Sequence, residues 1–235
     1  MIKLSRNCLK SLAFTYGITV NDSTLENLVC LKKLYISEQQ NVIGSEFDKF
    51  DLIELSCNNC NRIKGEYIAR QSNLIKLACA ECNFDGSIIK NLVNLHELEC
   101  DNIENVTDDI VKDKINLVML SCFGCDVTDN AFINLNKLTH LDCSYCKNIT
   151  DDAFKHLPNL QELYCVECEI TDDVFSHLMN LTFLDCSNCR HITGHTLYKL
   201  VSLKTLIIHN CRNITDDAIY YLSTESIRIH ADFRY

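Results

Sequence analysis

Six cysteine pairs with CxxC spacing run through this 235-residue chain: Cys57/Cys60, Cys79/Cys82, Cys122/Cys125, Cys143/Cys146, Cys165/Cys168 and Cys186/Cys189. Each has the spacing of half a zinc site or of a dithiol redox motif, since two thiolates three positions apart can reach one ion or each other. Four acidic pairs, Asp108-Asp109, Asp151-Asp152, Asp172-Asp173 and Asp216-Asp217, have the form of paired carboxylates used in acid–base catalysis or calcium binding. The histidines form nothing comparable, and no exposed Ser or Cys nucleophile completes a triad. Six glycines leave no Gly-rich phosphate loop.

The elements that must position these residues argue against a single site. Leucines at positions 9, 31, 52, 74, 95, 117, 138, 160, 181 and 203 open ten copies of one unit, with spacings that alternate between 22 and 21 residues. The clearest copies begin LTHLDCSYC, LQELYCVEC and LTFLDCSNC, so the cysteines recur at +5 and +8 of a frame LxxLxCxxC. Repeats of this length mean stacked supersecondary units. A metal site needs ligands converging on one point, whereas these thiols are spread one rung apart, and Ile208 at +5 and Ile103 at +8 occupy the same slots. Core packing is therefore the leading reading of the cysteines, with a thiol metal or redox role as its alternative.

Apolar residues at +3 and +5 alternate with polar ones, which predicts a short strand with one buried face. In the best-preserved copy Thr150 is placed to cap a short helix. Asp151 and Asp152 then lie in its first turn, where the helix dipole favours negative charge. Ala153, Phe154 and Leu157 give its apolar stripe, and Pro158, the single proline, is expected to stop it. A final fragment, Ile227 and Ile229, matches Leu206 and Ile208 and predicts one last strand. The expected architecture is α/β: a curved parallel β-sheet with short helices on its convex side, built as one domain over residues 1–235 from about ten repeats starting near residue 9.

The frame LxxLxC, the cysteine at +8 and the following ITDD resemble the leucine-rich repeat family. The CxxITD element is similar to the cysteine-containing subtype found in the substrate-recognition arms of F-box proteins. The Asn- and Ile-rich wording also resembles leucine-rich repeat proteins of giant DNA viruses. The chain departs from the subtype in its shorter repeats and in a degenerate first half, where Arg62-Ile63-Lys64-Gly65 and Asn83-Phe84-Asp85-Gly86 replace ITDD, and no F-box pattern precedes Leu9. The resemblance implies protein binding, usually on the concave sheet, and as a narrower alternative a substrate-recognition subunit of a ubiquitin ligase.

Composition bounds the setting. The opening MIKLSRNCLKSLAF lacks a secretory pattern, so sixteen cysteines are expected to be reduced thiols and the location cytoplasmic, that of the host if the protein is viral. A net charge of −10 disfavours nucleic acid and anionic membrane as partners. No cofactor is expected.

Strand alternation places +2, +4, +6 and +7 on the open face. Acids dominate there, and large apolar groups join them in the middle copies. The residues expected to contact a protein partner are Glu97, Glu99, Asp101, Met119, Phe123, His140, Asp142, Tyr145, Glu162, Tyr164, Phe183 and Asp185. Such a surface suits a basic or amphipathic segment. The last strand also leaves a sheet edge on which edge-to-edge self-association is possible.

Overall fold

Every copy contributes a three-residue strand that begins two positions after its leading leucine. The computed structural model describes residues 9–14, 17–223 and 227–231, and these fall into two compact units, Met1–Val106 and Thr107–Tyr235.

The first unit holds β1 (Ser11–Ala13), β2 (Lys33–Tyr35), β3 (Glu54–Ser56), β4 (Lys76–Ala78) and β5 (Glu97–Glu99). They pair in parallel in chain order, so that Leu34, Leu55, Leu77 and Leu98 are in register. The second unit holds β6 (Met119–Ser121), β7 (His140–Asp142), β8 (Glu162–Tyr164), β9 (Phe183–Asp185), β10 (Thr205–Ile207) and β11 (Arg228–His230), again parallel and in order. Central leucines of β2 to β10 are buried while the residues on either side are half-exposed, the alternation that a strand with one core face requires.

Behind the strands the return segments form a second layer of one-turn helices. The 22-residue copies carry α-helical turns (Asp22–Leu25, Gly65–Ala69, Asp108–Val111, Asp151–Phe154), and the 21-residue copies carry 3-10 turns (Phe47–Lys49, Gly86–Asn91, Asp129–Phe132, Asp172–Ser176). The double unit of the sequence is thus a structural alternation. It breaks at Leu197–Lys199, a 3-10 turn in a long copy. There Gly194, at φ +89°, replaces the first Asp, and a Cβ on it would come 2.7 Å from that of Ala218. Buried apolar side chains of these turns fill the space between the layers, among them Phe47, Ile68 and Ile89 in the first unit and Phe132, Phe154 and Phe175 in the second. Burying each contributes about 1.5–3 kcal/mol.

Two sequence expectations change. Pro158 does not stop its helix, which ends at Phe154 with Lys155 as C-cap; the other copies end their turns without proline, because Asp152 and its counterparts open only a single turn before the chain reverses. Ile229, not Ile227, pairs with Leu206. The preceding helix, Asp216–Ser223, runs eight residues instead of three to six, so the return is two residues longer than the sequence period. A shift of two preserves the face that each side chain occupies, which is why this length change is tolerated. No helix among the described residues is long and apolar enough to cross a membrane.

Candidate protein-binding face

The outward rows are shorter than strand alternation suggests. Strands end at +4, and the residue at +7 turns the chain with a left-handed backbone: Glu38, Asn59, Glu81 and Asn102 in the first unit, Gly124, Tyr145, Glu167, Asn188 and Asn210 in the second, all at φ between 55° and 68°. The amide at +8 then donates to the carbonyl at +5, as in Cys60 to Cys57 (3.2 Å) and Cys146 to Cys143 (3.1 Å). A left-handed third residue with this hydrogen bond is the geometry of a tight turn. The CxxC spacing is therefore the spacing of a β-turn that places both thiols in the core.

This turn corrects the assignment of +6 to the open face in two copies, whereas Asp101, Phe123 and the other +6 residues from Ser37 to His209 stay half-buried or exposed. Ser144 and Ser187 are only 3% and 6% exposed, because their hydroxyls accept the next copy's amides, Val166 N at 3.1 Å and His209 N at 3.2 Å. Asp142 and Asp185 close the same turns. The Ser144 amide donates to Asp142 Oδ1 at 2.9 Å; the Ser187 amide and hydroxyl donate to Asp185 Oδ1 at 3.0 and 2.7 Å.

In the first unit the +2 row alternates in sign, and its charges pair. Lys33 meets Glu54 at 2.8 Å and Lys76 meets Glu97 at 2.6 Å. Tyr35 donates to Glu54, which together with burial raises the phenol to about 12. Asn58 Nδ2 donates to Glu99 at 3.2 Å. Asp101 lies in the turn after β5 and is half-buried. These acids are held by their own unit.

The second unit differs. Register sets Tyr164 of β8 between Asp142 of β7 and Asp185 of β9, and sets Phe183 beside Glu162. The Tyr164 and Phe183 rings pack with centroids 4.7 Å apart, and Phe123 packs on Tyr145 at 4.8 Å. Tyr145 is 39% exposed, while Met119, Phe123, Tyr164 and Phe183 are half-buried against their neighbours. Burial, then the charges of Glu162, Asp142 and Asp185, push the Tyr164 phenol above its ordinary value. Among the described residues none of these three acids has a lysine or arginine partner; His140 Nε2 approaches Glu162 at 3.5 Å. A packed aromatic pair, its rings tilted by 37° and flanked by carboxylates, is chemically suited to a cation, through ring quadrupole and charge together.

The cysteine and aspartate pairs make contacts between copies. Thiols at +8 donate to the carbonyl at +5 of the preceding copy: Cys60 to Ile36 (3.0 Å) and Cys82 to Cys57 (3.1 Å) in one unit, Cys146 to Cys122 (3.1 Å) and Cys189 to Cys165 (3.1 Å) in the other. Burial pushes the Cys60 thiol up to about 12 and that of Cys165 well above the usual range, so neither is a nucleophile near neutral pH. Among the described residues no three Cys, His, Asp or Glu side chains are placed to hold a metal ion. An aspartate at one phase of the repeat reaches the following copy: Asp151 accepts from Thr171 N (2.8 Å) and Oγ1 (2.5 Å), and Asp108 and Asp129, the latter followed by Asn130 and not by a second acid, do the same for Thr128 and Thr150. Helix capping alone, the expectation from sequence, misses this tie between rungs. The recurrence of Thr before Asp was its signal. Sequence phase also gave no warning of Lys114, which is 0% exposed at a position that Leu135 and Leu157 fill in the next two copies.

No protein-family model matches the sequence, and no curated protein matches it. Among solved structures the chain is similar to an internalin, InlF, from Listeria monocytogenes, with 18% identity and a TM-score of 0.62 over 97% of this chain and 87% of that one. It is also similar to internalin C2 of the same organism, with 17% identity and a TM-score of 0.54 over 83% of this chain and 78% of that one. At this identity the likeness concerns fold alone, and internalins are leucine-rich repeat proteins. Parallel three-residue strands, one turn of helix per return and a buried leucine frame give this chain the α/β leucine-rich repeat fold.

Proposed function

We propose that the chain is a non-enzymatic protein-interaction module whose second unit holds a basic segment of a partner across β7, β8 and β9. One observation carries this reading: the Tyr164–Phe183 pair is flanked by Asp142, Glu162 and Asp185, acids without a lysine or arginine partner among the described residues. A partner's arginine or lysine would lie against the rings with its charge near the carboxylates, a contact worth about 0.5–2 kcal/mol from the ring alone. Acidic neighbours would also speed encounter with such a segment, an effect that weakens with salt. The partner is folded or extended protein with exposed basic side chains. A reducing, cytoplasmic location belongs to the same proposal and is supported by free thiols at every described cysteine, including the exposed Cys30.

The test is a fluorescence-anisotropy titration of a labelled Arg/Lys-rich peptide against the wild type and Tyr164→Ala. The wild type should bind saturably, with affinity falling as salt rises, and the variant should bind at least about tenfold more weakly, as expected for an aromatic hot spot. Equal affinity in the two proteins would remove this siting.

A further inference from the structure

Beyond the aromatic–acidic face, at the ends of β8, β9 and β10, lies a pocket of about 480 Å³ lined by Glu167, Asn188, Arg190, Asn210, Arg212 and Asn213. Its composition is opposite to that of the face: two guanidiniums and three amides against one carboxylate, in a chain of net charge −10.

The pocket is built by the repeat. Asn188 and Asn210 occupy the left-handed +7 position of consecutive copies, at φ 61° and 56°, a conformation that asparagine tolerates better than most residues. Arg190 and Arg212 stand two positions later in the same copies, so the strand spacing of about 4.8 Å separates their attachment points. A chain of hydrogen bonds fixes one wall: Arg212 Nε donates to Asn210 Oδ1 at 3.3 Å, and Asn210 Nδ2 donates to Asn188 Oδ1 at 2.8 Å. Asn213 Nδ2 donates to the Arg190 carbonyl at 2.6 Å, tying the two rungs at the other wall. With Nε of Arg212 engaged by a neutral amide, its terminal nitrogens keep their donors. Neither arginine has a carboxylate partner among the described residues, whereas the nearby His191 is paired with Glu169 at 2.9 Å. Lys32, Lys33, Lys76, Arg70, Lys112 and Lys155 all have such partners.

We infer that this pocket binds a phosphomonoester. Guanidinium forks match the oxygens of a phosphoryl group in geometry and charge. A volume of about 480 Å³ exceeds what one bare oxyanion needs and falls in the range of small-molecule sites, which leaves room beside the phosphoryl group for its ester substituent. Glu167 limits the net charge of the lining to that of one unpaired arginine, which sets the expected affinity as modest and makes that residue a diagnostic one. The site is separate from the Tyr164–Phe183 pair, and its existence does not depend on that surface binding anything.

Binding is read by ³¹P NMR on the full chain at constant ionic strength, with O-phosphoserine, a phosphoserine peptide and inorganic phosphate as probes. The expected result is saturable broadening of the O-phosphoserine signal, at least tenfold weaker in Arg190→Gln and in Arg212→Gln. Arg212→Lys, which keeps the charge and loses the fork, is intermediate. Glu167→Gln is expected to tighten binding severalfold, a gain that no general loss of structure produces. Both arginines are exposed and far-UV circular dichroism checks that their replacements fold. A phosphopeptide that binds more tightly than O-phosphoserine identifies a phosphorylated protein as the source, and equal binding of the two identifies a small ester. Inorganic phosphate binding as tightly as both overturns the ester assignment, and broadening that is unsaturable or unchanged in the arginine variants overturns the site.

Discussion

The two units use one frame for different surfaces. In the first, the outward row reads Lys33, Glu54, Lys76, Glu97, and neighbouring rungs neutralise each other. In the second, the equivalent rows read Met119, His140, Glu162, Phe183 and Ser121, Asp142, Tyr164, Asp185, leaving aromatic rings and acids that share no lysine or arginine. The ties between rungs differ as well. The second unit repeats a hydrogen bond donated by a Thr amide to the carboxylate of the preceding copy, at Asp108, Asp129, Asp151 and Asp172. Among its copies the first unit has such an acid at Asp22, which accepts the amides of Ile43, Gly44 and Ser45, but at Gly86 it brings backbones together: the Gly86 amide donates to the Glu104 carbonyl at 2.8 Å, and a Cβ there would come 2.9 Å from that oxygen. A regular scaffold is thus retained while the outward positions are free to pair internally or to wait for a partner.

The largest effect is expected where the second surface is erased. Replacing Tyr164 and Phe183 together by alanine should weaken capture of a basic peptide by about 2 kcal/mol or more, the loss typical of a buried aromatic hot spot, while calorimetry of the free protein shows a cooperative transition like that of the wild type. Loss of the tie between rungs comes next. Asp151→Ala leaves the Thr171 amide and hydroxyl without their carboxylate, and chemical denaturation should register a cost of about 1.5–3 kcal/mol, as for hydrogen bonds to charged groups.

The first unit offers the reverse experiment. Lys33→Ala with Lys76→Ala frees Glu54 and Glu97, and should create weak, salt-sensitive binding of the same peptide where the wild-type unit has none. Exposed ion pairs are worth about 0–1 kcal/mol, so stability should hardly change. The Tyr35 phenol reports on the same row. Its folded value of about 12 lies above the ordinary 10 because Glu54 accepts its proton in a hydrogen bond. That contribution to stability is complete below about pH 10, where the unfolded phenol is protonated, and is lost as pH rises through 12. Glu54→Gln should bring the titration, followed by NMR of the tyrosine ring, back toward 10.

The smallest effect is expected where the units are alike. Cys60→Val and Cys146→Val remove a weak S–H donor from a carbonyl that a turn amide also satisfies. Each should cost about 1 kcal/mol or less, because Ile103 already fills that slot. Unequal costs in the two units would mean that the shared frame is not equivalent.

Much of this fold is legible in the repeat itself. Leucine at +0 and +3 and cysteine at +5 and +8 recur because every rung buries the same positions, so phase alone located the strands and the core. Alternation failed at Ser144 and Ser187, since a strand that ends at +4 no longer governs the face of +6. The pairing of β11 failed because a longer helix, Asp216–Ser223, displaced it from the period. Lys33, Glu54, Lys76 and Glu97 share one phase, so their pairing was legible in principle; adding acids over the whole face hid it, because charge acts between neighbouring rungs. The pocket of Arg190 and Arg212 escaped for the same reason: its residues lie beyond the strand, in the turn, where no alternation applies.

The central claim is that the second unit, and not the first, presents a surface for basic protein segments. Amide chemical-shift mapping of the ¹⁵N-labelled chain during titration with an Arg/Lys-rich peptide tests it directly. The account predicts perturbations centred on Tyr164, Phe183 and Asp185 with Lys33, Glu54 and Lys76 unmoved. Perturbations centred on the first unit, or spread evenly over both, would contradict it.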